Sequence, residues 1–272
     1  RYYGMMKILL FILLGLTTAI NSYAISPPAN NAISLSLGGS SATYLNSFSI
    51  ENNVAALAFS KNEISLNAAN RFGLSDYSNV LLAGNVSSKL ANIGFSYQIA
   101  PLAHLTSQKA QLAVAKQLGK QVSAGIAINY HILSSTDAYY KTANFLTFNI
   151  GLYYAVNKKL NVGFQAFNPT RTPIIDSPLE RLPANIRLGL DYLLAENIIL
   201  YSDILQVSEE KIDLNAGLEL SRDKYSIRGG FGLNQLVAVG FGWKADKLQL
   251  DITGAYHNQL GFSPSLNVGY AF

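Results

Sequence analysis

From residue 62 to residue 272, apolar and polar side chains alternate with a period of two, the repeat of strands whose two faces meet different surroundings. One parity carries Ile93, Phe95 and Tyr97, then Ile126, Ile128 and Tyr130, then Leu188, Leu190 and Tyr192, then Val239, Phe241 and Trp243. The other carries Asn92, Gly94 and Ser96, then Gly125 and Asn129, then Arg187, Gly189 and Asp191, then Gly240, Gly242 and Lys244. The pattern predicts fourteen strands, at 62–72, 79–87, 89–99, 105–118, 121–134, 143–156, 159–168, 183–194, 197–206, 211–221, 224–232, 235–244, 246–256 and 262–272. Most run nine to fourteen residues. Strands of soluble sheets average about five or six, whereas about nine to eleven cross a bilayer at a tilt. Alternation alone fits both a soluble sandwich and a membrane barrel. The second and ninth strands alternate least clearly.

The connections separate the two cases. Every second one is very short: Ser87-Ser88, Gly119-Lys120, Asn157-Lys158, Ala195-Glu196, Arg222-Asp223 and Ala245-Asp246. Those between them are mostly longer, including 135–142, 168–182, 206–210 and 257–261, with 232–235 a tight exception. Short turns on one rim and longer loops on the other mark an outer-membrane barrel, the short turns and both chain ends lying on the periplasmic side. The predicted fold is all-β, a transmembrane antiparallel β-barrel of about fourteen strands. In the last strand Leu266, Val268, Tyr270 and Phe272 share one face, and the strand is expected to close the barrel against the first. Tyr270 and Phe272 are the candidate assembly signal for the barrel-assembly machinery. Lys116 falls on the apolar parity four residues from residue 120, close enough to the rim to snorkel.

Residues 5–24 have the order of a secretory signal. Lys7 is followed by the apolar run 8–16 and by Ser22-Tyr23-Ala24, which places cleavage before Ile25 and implies export to the outer membrane of a Gram-negative bacterium. Residues 1–4 precede the first methionines and read as upstream residues. The expected organisation is therefore 1–24 upstream residues and signal, 25–61 a separate segment, and 62–272 the barrel. In 25–61 the breakers Pro27-Pro28, Asn30-Asn31 and Gly38-Gly39-Ser40-Ser41 precede a short apolar run, 54–59, suited to a helical turn. A barrel this wide cannot be filled by its own side chains. Gly94, Gly125, Gly151, Gly163, Gly189, Gly217, Gly230 and Gly240 lie on the inward parity, where a second backbone can approach. Residues 25–61 are accordingly expected as a plug in the lumen.

Composition agrees. Apolar residues make up 49% and charged ones only 13%, yet no run after residue 24 is long enough for a membrane helix. Without Arg1 and Lys7 there are 18 basic and 16 acidic residues, and no basic run points to nucleic acid. The absence of cysteine excludes disulfides and thiolate metal sites. Inward ionisable residues concentrate on strands eight to thirteen: Arg187, Asp191, Asp203, Asp213, Glu219, Arg228, Lys244 and Asp251. They form a candidate lumen charge network that fills the interior, pins the plug or steers a solute. His131 and His257 also face inward, but their strands are far apart in order, a poor basis for a metal site. No nucleophile motif such as GxSxG occurs, and neither an enzymatic activity nor a cofactor is expected. Pro173-Ile174-Ile175, in the longest loop, suits an apolar ligand, a protein partner or a fold over the barrel mouth.

With these residues placed, the mature chain resembles the FadL-type outer-membrane proteins as a small member, near the PorV and PorQ branch of type IX secretion. The likeness starts at Gly38-Gly39-Ser40-Ser41-Ala42 and continues at Asn52-Asn53-Val54-Ala55-Ala56-Leu57-Ala58, similar to the family's NNPAGLA-like segment, with Val54 and Ala56 in place of Pro and Gly. It extends through Phe167-Asn168-Pro169, Glu180-Arg181-Leu182-Pro183 and Leu260-Gly261-Phe262-Ser263-Pro264. The resemblance implies a fourteen-stranded barrel with an N-terminal hatch, for which Gly38, Gly39, Asn52, Asn53 and Leu57 are the motif residues. It also implies passage of small hydrophobic solutes. The alternative is a non-transporting accessory or scaffold barrel in a type IX-like secretion or envelope complex, to which the short external loops point. Expected partners are outer-membrane lipid, the assembly machinery, a hydrophobic small molecule and, on the alternative reading, secretion-system proteins.

Overall fold

A computed structural model describes residues 31–74, 77–102, 105–135, 142–173, 181–208, 212–233 and 236–272. The signal, residues 25–30 of the plug, and Ile174 and Ile175 lie outside the described residues. Two short helices, α1 (Ala32–Ser36) and α2 (Ser49–Asn52), and a 3-10 helix (Val54–Phe59) precede the strands. The strands are β1 (Glu63–Asn70), β2 (Ser78–Ser87), β3 (Asn92–Leu102), β4 (Leu105–Gln117), β5 (Val122–Ser135), β6 (Ala143–Ala155) and β7 (Leu160–Phe167). They continue with β8 (Asn185–Ala195), β9 (Ile198–Val207), β10 (Asp213–Arg222), β11 (Tyr225–Gly232), β12 (Leu236–Ala245), β13 (Leu248–His257) and β14 (Gly261–Ala271). Each pairs antiparallel with its neighbours in sequence, and β14 returns to β1 from Glu63 opposite Ala271 to Ala69 opposite Ser265, closing the barrel. The only register shift between described strands lies in the β8–β9 pair, between Leu193 and Ala195.

All fourteen predicted strands are present, with their ends moved by a few residues. The largest shift is at β3, expected at 89–99 and found at Asn92–Leu102. The cause is local: the Ser88 hydroxyl accepts from the amides of Leu90 and Ala91 and donates to the Ala91 carbonyl, so residues 88–91 form a turn in place of the strand start. At the other end of the first predicted strand, Phe72 adopts a left-handed φ of 59° and ends the extended run.

The barrel is inverted relative to a soluble protein. Ile93, Leu112, Ile128 and Val239 are more than half exposed on the outside, while Asn67, Asn85, Ser123 and Gln165 are fully buried within. That distribution suits lipid outside and a packed polar interior. The two weakly alternating strands have a reason in this interior. Leu81 and Ala83 of β2, and Tyr201, Leu205 and Val207 of β9, are apolar residues buried on the inner side. Leu81 and Ala83 pack in one cluster with Phe48, Ile50, Val54 and Leu57, and Tyr201 in another with Ile33 and Leu37.

Candidate functional site

The lumen is occupied by residues 31–60, which run around its wall as a chain of short elements. Helix α1 lies against β11–β14, and the 3-10 helix lies against β3–β7. The inward glycines explain how a backbone fits so close. A Cβ on Gly230 would stand 2.2 Å from the Leu37 carbonyl carbon, one on Gly163 2.3 Å from Ala42 O, and one on Gly125 2.8 Å from Val54 C. Each of the eight glycines singled out from the alternation meets an atom of residues 36–57 at under 3.0 Å in this way. On the plug side, Gly38 and Gly39 have φ of 69° and 101°, and a Cβ on Gly38 would strike the Phe231 backbone at 2.4 Å.

The Asn residues of the opening motif have separate tasks. Asn53 caps the 3-10 helix, its Oδ1 accepting from Ala55 N at 3.1 Å. Its Nδ2 donates to Ala42 O within the plug at 2.9 Å and to Leu152 O in the wall at 3.0 Å. Asn52 Oδ1 accepts from Arg187 at 3.4 Å. Leu57 is fully buried in the apolar cluster with Phe48, Ile50 and Leu81, and its carbonyl accepts from Asn92 at 2.6 Å. Val54 and Ala56 are both fully buried, so the positions that lack Pro and Gly are filled by close packing.

The inward charges divide into separate groups. In the first, the Arg228 guanidinium joins Glu219 Oε2 at 2.5 Å and Asp251 Oδ1 at 2.8 Å. Tyr44 of the plug enters this group, its hydroxyl donating to Glu219 at 3.1 Å and accepting from Arg228 at 3.2 Å. Burial raises the pKa of that hydroxyl well above the ordinary tyrosine value, so it stays a neutral donor. In the second, Asp203 Oδ2 accepts the amides of Ser41 and Ala42 at 2.8 and 3.0 Å, and Arg187 donates to Ser41 Oγ at 2.8 Å. Arg187 also lies within electrostatic reach of Asp203 and Asp213. Asp191 accepts from Asn161 at 2.9 Å. Lys244 is exposed, at the edge of a cavity of about 250 Å³ that Tyr44, Glu219, Arg228, Asp251 and Trp243 also line.

Sequence reasoning missed a third group. Glu51 of the plug, 4% exposed, is ion-paired with Lys109 of β4 and accepts from Ser96 at 2.7 Å. Lys109 shares the inward parity of Gln111, Ala113 and Ala115, so its placement was readable, but its partner in a loop was not. Of the two inward histidines, His131 stacks on Phe145 with ring centres 4.8 Å apart and meets Thr147 Oγ1 at 3.0 Å. His257 Nδ1 accepts the amides of Gln259 and Leu260, both at 3.2 Å, and thereby shapes the turn before β14.

No family model matches the sequence, and no curated protein matches it; the likeness is carried by structure. The CymD monoaromatic hydrocarbon channel aligns with a TM-score of 0.71 at 13% identity, over 89% of this chain and 97% of that one. The Pseudomonas putida toluene transporter TodX aligns at 0.64 and 11% identity, over 88% and 96%. A Pseudomonas aeruginosa FadL homologue aligns at 0.63 and 11% identity, over 93% and 100%. The first two of these neighbours in structure are named as a channel and a transporter. Closed by fourteen strands and filled by its own leading segment, the chain has the fold of the FadL-type outer-membrane barrels.

Proposed function

We propose that the protein is an outer-membrane channel that lets small hydrophobic solutes cross when its plug moves. The observation that carries this reading is a complete barrel whose lumen is stopped by residues 31–60, fastened at separate polar points. These side-chain bonds, like the apolar contacts of Phe48, Ile50 and Leu57, lie outside the strand ladder of the wall, so the plug can move without breaking that ladder. The structural neighbours support the solute class, since CymD and TodX are named for monoaromatic hydrocarbons and toluene. Export by a signal sequence, placement in a Gram-negative outer membrane with the short turns toward the periplasm, and barrel-assembly machinery as a partner belong to the same reading. The PorV/PorQ likeness rests on the short motifs alone, and the comparisons give an accessory role in secretion no support.

The test uses the purified chain in liposomes. Uptake of a fluorescent apolar probe should exceed that of protein-free vesicles, and deletion of residues 30–58 should raise ionic conductance. Absence of both effects from a correctly folded barrel would overturn the proposal.

A further inference from the structure

The rim of short turns is divided by charge. The turns after β2, β4 and β6 carry Lys89, Lys116, Lys120, Lys158 and Lys159 on or beside them and no acidic residue. All five are exposed. The turn after β8 instead carries Glu196 and no cation, and those after β10 and β12 set Asp223 and Asp246 among Arg222, Lys224, Lys244 and Lys247, so that half of the rim is nearly balanced while the other carries cations alone.

That half also carries an apolar groove on the outside of the wall. It has a volume of about 260 Å³ and is lined by the outward residues Val122, Leu152, Tyr154, Val162 and Phe164, with Tyr153 between them turning its ring inward onto Phe59. Val122 pairs with Tyr154, Tyr154 with Val162, and Leu152 with Phe164, so the groove crosses β5, β6 and β7 at their short-turn ends. Lys120 lies two residues before Val122, about 7 Å of strand rise. The two turns are tied together: Gln121 O accepts from Ala155 N at 2.7 Å, and the Gln121 side chain donates to Val156 O at 3.4 Å. Asn157 Oδ1 accepts from the amides of Lys159 and Leu160 at 2.8 and 3.1 Å and fixes the second turn. Lys120, Lys158 and Lys159 are thus held on adjoining rigid turns beside one apolar groove.

We infer that this corner of the barrel binds an anionic phospholipid, an acyl chain lying in the groove and the headgroup phosphate among Lys120, Lys158 and Lys159. The inference shares with the proposed function only the placement of the apolar exterior in a bilayer. On its outward side the groove has no polar side-chain group apart from the Tyr154 hydroxyl, which suits a hydrocarbon chain. A lysine ammonium beside a membrane surface attracts a lipid of net negative charge and is indifferent to a zwitterionic one.

The experiment is lipid retention by the detergent-solubilised full chain, read by native mass spectrometry with phosphatidylglycerol and phosphatidylcholine of identical chains. The expected preference for phosphatidylglycerol is at least about tenfold, lost in Lys120→Gln/Lys158→Gln/Lys159→Gln and kept in Arg222→Gln/Lys247→Gln on the mixed half. Leu152→Trp, which fills the groove, should lower retention of both lipids, and inorganic phosphate at the lipid's concentration should displace neither. Equal retention of the two lipids by the unaltered chain would overturn the inference. So would an unchanged preference in the triple variant, equal loss from the mixed-half variant, or displacement by phosphate. Should the triple variant not form a heat-modifiable barrel, the single change Lys158→Gln in its exposed turn makes the same comparison. Lipid retention is read without solute flux, so failure here and failure of the channel reading are separate results.

Discussion

Gly230→Ala offers a way to loosen the plug while leaving the wall intact. The added methyl would stand 2.2 Å from the Leu37 carbonyl carbon and 2.3 Å from Gly38 N, against an ordinary contact of 3.4–4 Å. Both atoms are backbone, so no side-chain rotation relieves the clash, and the plug must withdraw by more than about 1 Å, enough to forfeit much of its local dispersion contact. Overpacking of this kind costs about 1–3 kcal/mol. If the wall keeps its ladder, that cost falls on the seated plug and raises its unseated population by about 5- to 150-fold. Gly229→Ala is the matched control: it lies on the same strand and faces lipid, and its nearest atom is 4.0 Å away. The assay is chymotrypsin cleavage of the folded protein, since Tyr44, Phe48 and Phe59 are plug residues that the enzyme favours once exposed. Gly230→Ala should be cut faster in the plug than Gly229→Ala, with heat modifiability of the barrel unchanged. Equal cleavage of the two variants would refute the close-approach argument, as would loss of the barrel in Gly230→Ala alone.

Two further outcomes follow from the same geometry. Arg228→Met leaves Glu219 and Asp251 buried without their shared cation and should cost about 3–5 kcal/mol, seen as a lower unfolding temperature in detergent, with only partial recovery in Arg228→Lys; an unchanged temperature would show the group to be dispensable. Tyr270→Asp places a charge on the lipid face of β14, where Tyr270 pairs with Ile64 and with Leu248, and both it and deletion of Phe272 should reduce the heat-modifiable fraction in the outer membrane; normal assembly would remove the role assigned to this strand end.

The barrel was readable because a period of two, sustained over many strands, fixes which side chains share a face, and because turn lengths alternate. The inward glycines even marked where residues 36–57 approach the wall, since a missing side chain on a packed face needs an occupant. What remained hidden were pairings between residues remote in sequence. Asp203 is visibly inward, but nothing local shows that it accepts the Ser41 and Ala42 amides 162 and 161 residues away. Glu51 lies in a segment without periodicity, so neither its burial nor its pairing with Lys109 has a local signal. Parity grouped Lys244 with Arg228, whereas position along the strand leaves Lys244 exposed at the cavity edge. Alternation assigns a face; it does not assign a depth.

The contacts that seat the plug also set an order of events. Thr253 bonds to the Ala32 carbonyl 221 positions earlier in the chain, and Arg228 to Tyr44 184 positions earlier. Both contacts are strongly non-local, and such contacts form late because the intervening chain must first be organised. Residues 31–60 emerge before every strand, but while the 3-10 helix seats on β3–β7, the socket of α1 on β11–β14 exists only after nearly all strands are made. The α1 end, made before every strand, is therefore the part that docks last, and until then its Ile33 and Leu37 lack the contacts that bury them and must be shielded from aggregation.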